Sequence, residues 1–471
     1  MKCESWLILS PLVIALCLWM VGAQTRTLWL DEFHSYYHSS SESWSGVLER
    51  ARADNHPPLS FLLLRGSRSL FGDGHLALRF PSLLAGLIQL IIGVRFVRSR
   101  LGFKTGLAVG LIFALSSYTL MIVTEARMYA LMSLCVIGVA VALVKVVEEG
   151  RGLVSLALFS LAGLHTHYDF IFYLAVTGGV LLVLCFKPLH RHAALRGIGV
   201  LSLVGVLFAP WASYGLMHQL EHGLPPGSTH THIYALAESI GHMYFINVGL
   251  GGDLIRIAAI CGVVLAGVLM IRGVMILRKR DQHLLYLCLA FGIVVPLLVF
   301  IVAHIYPRAA HNWRYVAGSA LPVFVLAAAG GMSKPRIFLV LLAALLLCLS
   351  SLTLSNALSR GREDSRSAVD FILDAVDEKD TVLLAPTMVP GGHRTSLPWD
   401  YYSGRTGREE KLDGEDLLLS LDSRKINLQG TLFFMERGHS IGKLKYLKQR
   451  FDLQETNSFG SDLRVHQFRL R

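Results

Sequence analysis

Long apolar runs separated by short polar stretches dominate the first 360 residues of the chain. A helix needs about 20 apolar residues to cross the roughly 30 Å hydrocarbon core of a bilayer. Eleven runs come close to that length, and the run at 153–166 is the shortest of them. The pattern therefore predicts an all-α polytopic membrane protein with about 11 transmembrane helices. The predicted spans are 5–24, 77–97, 105–122, 128–147, 153–166, 169–186, 197–217, 254–277, 284–304, 314–332 and 337–356.

The first apolar run has two interpretations. Lys2 precedes it and Ala23 lies near its end, as in a secretory signal peptide. We favour a membrane anchor, because the run lacks a clean A-x-A cleavage site.

Residues 25–76 form a long connection, predicted to be the first outer loop, that contains LWLDEFHSYYHSS and then DNHPPLSFLLLRGSRSLFGDG. Within it, residues 59–71 are apolar but too short to span a membrane. Arg65 and Arg68 fall on their polar side, a pattern typical of a helix lying in the membrane interface.

The C-terminal residues 357–471 differ in character from the rest of the chain. SAVDFILDAV predicts a helix, whereas TVLLAP, GTLFFMER and LRVHQFRLR predict strands. We therefore predict two parts: a transmembrane domain at 1–356 and a small extramembrane α/β domain at 357–471.

The composition supports this division. Apolar residues make up 53% of the chain and charged residues 16%, against about 25% charged in ordinary soluble proteins. Residues 1–360 carry 27 Lys/Arg against 15 Asp/Glu, whereas residues 361–471 carry 17 against 18. The basic excess belongs to the apolar part, which indicates loops beside a membrane rather than a nucleic-acid surface. The seven cysteines include no CxxC pair, so a disulfide framework or thiolate metal site is not expected.

The basic residues also predict the orientation. With a cytoplasmic N-terminus, most Lys and Arg residues of the short loops lie in the cytoplasm, and the short outer loops hold only Arg127, Arg308 and Arg314. An odd number of spans then places the C-terminal domain on the periplasmic or extracellular side of a plasma (inner) membrane.

Two polar motifs stand in the first outer loop. Asp31 and Glu32 lie just beyond the first span, where acidic side chains near hydrocarbon usually have a function. The alternative interpretation is that the two residues lie in a solvated loop, or at a helix N-terminus, which favours negative charge. His56 precedes two prolines that fix an extended chain, so it is either a site residue or part of a turn.

Two further motifs carry arginine. The sequence TEARMY contains Glu125, Arg127 and Tyr129, and NWRY contains Arg314 and Tyr315. Arginine suits a bidentate contact with a phosphate. The alternatives are a local Glu–Arg pair, snorkelling side chains and interfacial aromatic anchors.

The segment LHTHYDF supplies His165, His167 and Tyr168, and a second His-Thr-His occurs at 230–232. Such a spacing fits a metal ligand set or a substrate contact, although polar residues at span ends are common. All of these motifs fall on the outer face in the predicted topology, which implies one outward-facing polar site.

In this order and spacing, LWLDEFHSYY, NHPPLSFLLLRGSRSLFGDGHLALRFPSLLAG, TEARMYAL, LHTHYDF and NWRYVAGSALPVFVLAAAG resemble bacterial membrane glycosyltransferases related to the protein O-mannosyltransferases. That group has the GT-C fold and includes the aminoarabinose transferases. The resemblance covers about residues 5–335. The family's active-site carboxylate motif corresponds to Asp31 and Glu32, and Arg127 and Arg314 best suit its basic residue near the donor phosphate.

The resemblance implies a polyprenyl-phosphate-linked hexose or pentose as donor, and transfer on the outer side to a lipid, glycan or protein hydroxyl. A carboxylate base opposite the leaving phosphate would give a single displacement with inversion. A divalent metal is compatible with the many outer histidines, which include His218, His222, His230, His232 and His242. A polytopic transporter or lipid flippase and a non-catalytic membrane scaffold are the alternatives.

Overall fold

The structure is a computed structural model of the chain. It describes residues 9–222, 242–244, 253–305, 312–358, 364–376, 381–384, 396–403, 431–437, 444, 447–449, 451–459 and 463–470. Internal contacts divide the chain into two compact units. The membrane unit consists of Met1–Ala23 and His38–Leu358, and the C-terminal unit consists of Gln24–Tyr37 and Ser359–Arg471. Residues 24–37, which we assigned to the transmembrane domain, thus group with the C-terminal part.

Helices form nearly all of the described chain up to residue 358. They are α1 Ser10–Thr25, α2 Leu30–Ser39, α3 Trp44–Arg52, α4 Leu59–Phe71, α5 His75–Leu101, α6 Phe103–Leu115, α7 Ser117–Val123, α8 Tyr129–Glu149, α9 Leu153–Leu164, α10 Phe170–Cys185, α11 Arg191–Trp211, α12 Met217–His222, α13 Asp253–Arg280, α14 Gln282–Leu289, α15 Val295–Ile305, α16 Ala320–Gly331 and α17 Ile337–Leu358. Two π turns, Ala212–Leu216 and Ala290–Val294, join α11 to α12 and α14 to α15, and a 3-10 helix, Trp313–Ser319, leads into α16.

Seven helical segments of the described residues are long and apolar enough to cross a membrane, or nine if two bent pairs each count as one span. The bent pairs are α1 with α2 and α6 with α7. The fifth and sixth of the eleven predicted spans correspond to α9 and α10, which are apolar but shorter. The predicted span at 105–122 is broken by Ser116, whose hydroxyl accepts the Thr119 N–H at 3.2 Å and caps α7.

Small residues allow the closest helix contact in the membrane unit. Every residue of α16 is buried. A Cβ atom at Gly330 would overlap the carbonyl oxygen of Leu269 in α13, and one at Gly273 would overlap that of Leu326. Because lipid is as apolar as a helix surface, such close backbone packing supplies much of the association energy in a membrane.

The π turn at Ala290–Val294 is stabilised from a neighbouring element. The Ser319 hydroxyl donates to the carbonyl oxygen of Phe291 at 2.5 Å, and the Tyr173 hydroxyl lies 3.0 Å from the same serine oxygen. Inside hydrocarbon no water is present to satisfy a carbonyl displaced from regular helical bonding. The serine therefore satisfies the Phe291 carbonyl of this turn.

A charged cluster joins helix ends on the side predicted to be cytoplasmic. Arg100, in the last turn of α5, donates from Nε to Asp281 Oδ2 at 2.6 Å and from Nη1 to Glu148 Oε2 at 2.8 Å. His283 Nδ1 lies 2.8 Å from the other Glu148 oxygen. These contacts tie α5, α8 and the start of α14 together.

Helix α4 coincides with the predicted segment 59–71, and its apolar side faces the protein. Phe61 and Leu64 are buried, and Phe61 packs with Trp211 of α11. Arg65 on its polar side donates to the backbone carbonyls of Ser41 and Glu42. Contacts on both its apolar and its polar side therefore hold this short amphipathic helix in place.

The C-terminal unit is a small α/β fold, as predicted. Helices α18 Ser365–Ala375 and α19 Ser396–Ser403 accompany a four-stranded sheet of β1 Thr381–Leu384, β2 Thr431–Arg437, β3 Phe451–Phe459 and β4 Leu463–Leu470. The order is β1-β2-β4-β3, with β1 parallel to β2 and the other pairs antiparallel. Strand β3 was not predicted.

The segment before residue 38 contributes to the packing of this unit. The Leu28 N–H donates to the hydroxyl of Tyr402 at 3.0 Å. The ring of Phe33 lies edge-on to the rings of Tyr401 and Tyr402, with centroid distances of 5.8 and 5.9 Å. The first turn of α2 therefore rests on α19.

Candidate functional site

The turn between α7 and α8 presents a buried carboxylate and a buried guanidinium, Glu125 and Arg127. The hydroxyl of Ser82 donates to the carbonyl of Arg127 at 3.0 Å and fixes the turn against α5. The Asn312 side chain accepts the N–H of Arg314 at 3.0 Å and begins the 3-10 helix. Arg314 Nε then lies 3.7 Å from Glu125 Oε2, with side-chain exposures of 6% and 1%. The structure thus brings these three predicted residues together.

Aromatic rings frame the two arginines. The Arg127 guanidinium lies 5.9 Å from the ring centroid of Tyr129, and that of Arg314 lies 4.6 Å from the ring of Trp313. The rings of Tyr129 and Tyr315 are 6.3 Å apart. Cation–π contacts hold a guanidinium in place through its flat face. Other contacts determine the direction of its N–H groups.

His167 joins this aromatic group. Its ring lies 5.0 Å from Tyr315, 5.8 Å from Tyr129 and 5.4 Å from His56. Burial, followed by the charges of His56 and Arg127, lowers the pKa of His167 well below its usual range. Burial also raises the pKa of Asp169, two residues further on, to about 7. His167 is therefore neutral at physiological pH, whereas the Asp169 carboxyl titrates close to physiological pH.

Asp54 lies between two histidines. Its Oδ2 is 3.0 Å from Nδ1 of His56, and its Oδ1 is 3.7 Å from Nε2 of His38. The His38 ring stacks on Phe61 at 4.8 Å. One carboxylate and two imidazoles are donors that a divalent metal such as zinc accepts. Within this group, Asp54 and His38 have atoms close enough to belong to a set of possible metal ligands among the described residues.

Two predicted residues of the LHTHYDF segment point elsewhere. The Nδ1 atom of His165 lies 2.9 Å from the Leu161 carbonyl within its own helix end, and its ring packs edge-on against Phe208. The Tyr168 hydroxyl donates to Gln219 Oε1 at 2.6 Å and accepts from Trp211 Nε1 at 3.1 Å. Both side chains fasten the fold around the site and do not join the aromatic group.

Asp31 and Glu32 belong to the C-terminal unit, in the first turn of α2. Glu32 is fully buried, and its Oε2 accepts the N–H of Trp29 at 3.3 Å, as a carboxylate does at a helix N-terminus. Asp31 is half-buried, and its carbonyl accepts the Ser35 hydroxyl at 3.3 Å. Adjacent helical residues project about 100° apart, so the two carboxylates have different surroundings.

The outer histidines are only partly described. The His242 ring lies 5.9 Å from that of Trp313. His218 is half-buried in α12. His230, His232 and the side chain of His222 lie outside the described residues.

Several residues of the site were missed from the sequence. Asp54 stands shortly before His56, and Asn312 opens NWRY. Their position in or beside motifs that were already candidates could have identified them from the sequence. For His38 the indication was weaker, because it was only the second histidine of HSYYH.

The membrane unit's group can do one kind of chemistry well. The guanidiniums of Arg127 and Arg314 are buried, and a guanidinium suits a bidentate contact with a phosphate or another anion. Such a contact is stronger in a poorly hydrated place than in bulk water. The neutral His167 and the two tyrosines add hydrogen-bonding and stacking surfaces.

Comparisons with known proteins found one matching family model and several similar solved structures. Residues 55–214 match the family model described as dolichyl-phosphate-mannose-protein mannosyltransferase. ArnT from Cupriavidus metallidurans in the apo state is similar over 99% of this chain and 98% of its own, at 13% identity and a TM-score of 0.61. The same protein bound to undecaprenyl phosphate is similar over 98% of this chain and 98% of its own, at 13% identity and a TM-score of 0.61. The Archaeoglobus fulgidus oligosaccharyltransferase, tethered to an acceptor peptide, is similar over 91% of this chain and 69% of its own, at 9% identity and a TM-score of 0.47.

No curated protein matches the sequence of the chain. The similarity to ArnT extends over both units of the chain. The predicted GT-C fold, a helical membrane protein with a small C-terminal α/β domain, is confirmed.

Proposed function

We propose that the protein is an integral-membrane glycosyltransferase that moves a sugar from a polyprenyl-phosphate carrier to a hydroxyl acceptor. The buried group of Arg127, Arg314 and Glu125 is the observation on which this proposal rests. The bound undecaprenyl phosphate of the similar ArnT structure supports a lipid phosphate as the anion that this group recognises.

The lipid phosphate is the leaving group in the proposed reaction. As the bond from the sugar's anomeric carbon to the phosphate oxygen breaks, negative charge grows on the phosphate. Arg127 and Arg314 stabilise that charge through planar, multiply donating guanidiniums, so no general acid is required. Glu125 holds Arg314 in position.

Asp31 acts as the general base. It takes the proton of the acceptor hydroxyl while the acceptor oxygen forms its bond to the anomeric carbon. Attack on the face opposite the leaving phosphate inverts the configuration. Glu32, already engaged with the Trp29 N–H, orients the first turn of α2 that carries the base.

The reaction takes place on the outer side of the plasma membrane. The excess of Lys and Arg in the loops predicted to be cytoplasmic supports that orientation. The acceptor is a lipid, a glycan or a protein of that compartment.

A divalent metal is the remaining expectation of the histidine-rich sequence. Within the membrane unit, Asp54 and His38 would supply ligands for it, and its charge would add to that of the arginines. Treatment with a chelator, followed by metal analysis and re-addition of zinc, tests this role. Full transfer by metal-free protein would remove it.

The decisive experiment uses the purified full chain in lipid nanodiscs. We expect undecaprenyl phosphate to bind, and a labelled sugar to pass from undecaprenyl phosphate to an acceptor extract of cell envelopes. Reconstituted vesicles measure transport in parallel. Movement of the lipid or of a solute without sugar transfer would favour the transporter alternative and reject the proposal.

A further inference from the structure

The hydrogen-bonding state of His167 follows from its neighbours. Its Nδ1 accepts the backbone N–H of Asp169 at 3.2 Å, so that nitrogen presents its lone pair. A neutral imidazole then carries its proton on Nε2. The Asp169 carboxylate oxygen is 3.9 Å from Nδ1, too far for a hydrogen bond.

The Nε2–H group is a buried donor. His167 is 5% exposed, and among the described residues its Nε2 atom has no hydrogen-bond partner. Buried polar groups are nearly always hydrogen-bonded, and an exception in a native protein calls for a ligand or a water. The donor sits on an imidazole surrounded by the rings of Tyr129, Tyr315 and His56.

Aromatic side chains with a buried polar group among them are typical of a small-ligand site. The flat rings can pack against the C–H face of a sugar ring, while the imidazole N–H meets an oxygen on its edge. The oxygen must carry a lone pair. An ammonium group has three donors and no acceptor, so it cannot receive this hydrogen bond.

Positive charge nearby adds to this discrimination. The guanidinium of Arg127 rests over Tyr129, one of the enclosing rings. Three carboxylates also border this region. Asp54 lies beside His56, Glu125 lies beside Arg314, and Asp169 lies beside His167. A neutral hydroxyl at Nε2 creates no new charge among these groups.

We propose that the Nε2–H of His167 donates to a ring hydroxyl of the transferred sugar, and that the protein therefore selects a neutral hydroxylated sugar over one bearing an ammonium group there. This inference rests on the proposed function and names the class of its donor.

The test compares three donors on the purified full chain: undecaprenyl phosphate carrying mannose, glucose or 4-amino-4-deoxyarabinose. The variants are His167→Phe, which keeps a flat ring without the donor, and His167→Gln, which keeps an N–H donor. His192→Phe, at an exposed position in the first turn of α11, is the control for loss of a histidine. Binding of sugar-free undecaprenyl phosphate is measured for all four proteins.

We expect the wild type to use a hydroxylated donor better than the amino sugar. His167→Phe should lower kcat/KM for the hydroxylated donor by roughly 10-fold, while His167→Gln recovers most of it. His192→Phe should match the wild type, and undecaprenyl phosphate should bind all proteins equally. That binding also reports that the variants are folded.

Two results separate the two proposals. If undecaprenyl phosphate binds but His167→Phe turns over every donor like the wild type, or if the amino sugar is preferred, the role of His167 is overturned. If the wild type neither binds undecaprenyl phosphate nor transfers any sugar, the proposed function fails first.

Discussion

Arg314 Nε lies 3.7 Å from Glu125 Oε2, and both side chains are more than nine-tenths buried. Removing one partner of a buried ion pair leaves an inadequately compensated charge, which costs about 3 to 5 kcal/mol of stability. Glu125→Gln should therefore lower the thermal unfolding midpoint of the purified protein clearly. Combining it with Arg314→Met should restore much of the stability but not the transfer activity. A double variant no more stable than Glu125→Gln would show that the two side chains are not energetically coupled.

Arg127→Lys keeps the charge but replaces a planar fork by a point donor. We expect weaker binding of undecaprenyl phosphate, by about 10-fold, and a larger loss of transfer because the phosphate charge grows in the transition state. Equilibrium binding and single-turnover transfer measure the two effects. Arg151→Lys, whose side chain is 77% exposed, is the matched control. Unchanged binding by Arg127→Lys would make Arg314 the better phosphate ligand.

Asp31→Asn is nearly isosteric but cannot take a proton. Transfer should fall about 100-fold or more, while undecaprenyl phosphate still binds. Glu32→Gln retains an oxygen that can accept the Trp29 N–H, so its effect should be smaller. Turnover of purified Asp31→Asn near the wild-type rate would end the assignment of the base.

Burial raises the pKa of Asp169 to about 7, above its ordinary value of 3.8. The neutral form therefore favours the folded state, and this contribution is lost as pH rises from about 4 through 7. Relative to Asp169→Asn, the wild type should lose thermal stability between pH 5 and 7. Above pH 8 the difference in unfolding midpoint between the two proteins should stay constant. Parallel melting curves of the two proteins across this range would contradict the raised pKa.

The predicted orientation places an insertion after Gly150 in the cytoplasm and the C-terminus at Arg471 outside. Epitope tags at these positions should be protected and accessible, respectively, in intact cells, and both accessible after permeabilisation. Two tags on the cytoplasmic face would refute the topology.

Much of the fold was predictable because its elements are apolar and long. Helix α4 was predicted with both its ends, since its apolar and basic residues alternate with helical spacing. Strand β3 was missed because FDLQETNSF is mostly polar and exposed, and only pairing with β4 makes it a strand. The grouping of residues 24–37 with the C-terminal unit depends on tertiary contacts such as Leu28 with Tyr402, which no local pattern records.

The candidate site was predictable to the level of motifs. Arg127 and Arg314 were predicted because arginine suits a bidentate contact with a phosphate, and Glu125 lies in the same motif as Arg127. His165 and His167 looked alike in the sequence, yet one ring turns to Leu161 and Phe208 and the other to Tyr315. Which of two neighbouring histidines faces the site depends on how the chain leaves α9, and the spacing does not determine that.

The π turn at Ala290–Val294 bears on how this chain is aligned with its relatives. A π turn accommodates one residue more than the α-helical turn that it replaces. Helices α14 and α15 therefore keep their packing faces although their sequence registers are offset by one position. A relative with one residue fewer here would form an unbroken α-helix with the same faces, and would have no need of a hydroxyl at position 319. Alignments should place a single-residue gap inside this turn, and the presence of serine at 319 should follow the presence of the extra residue.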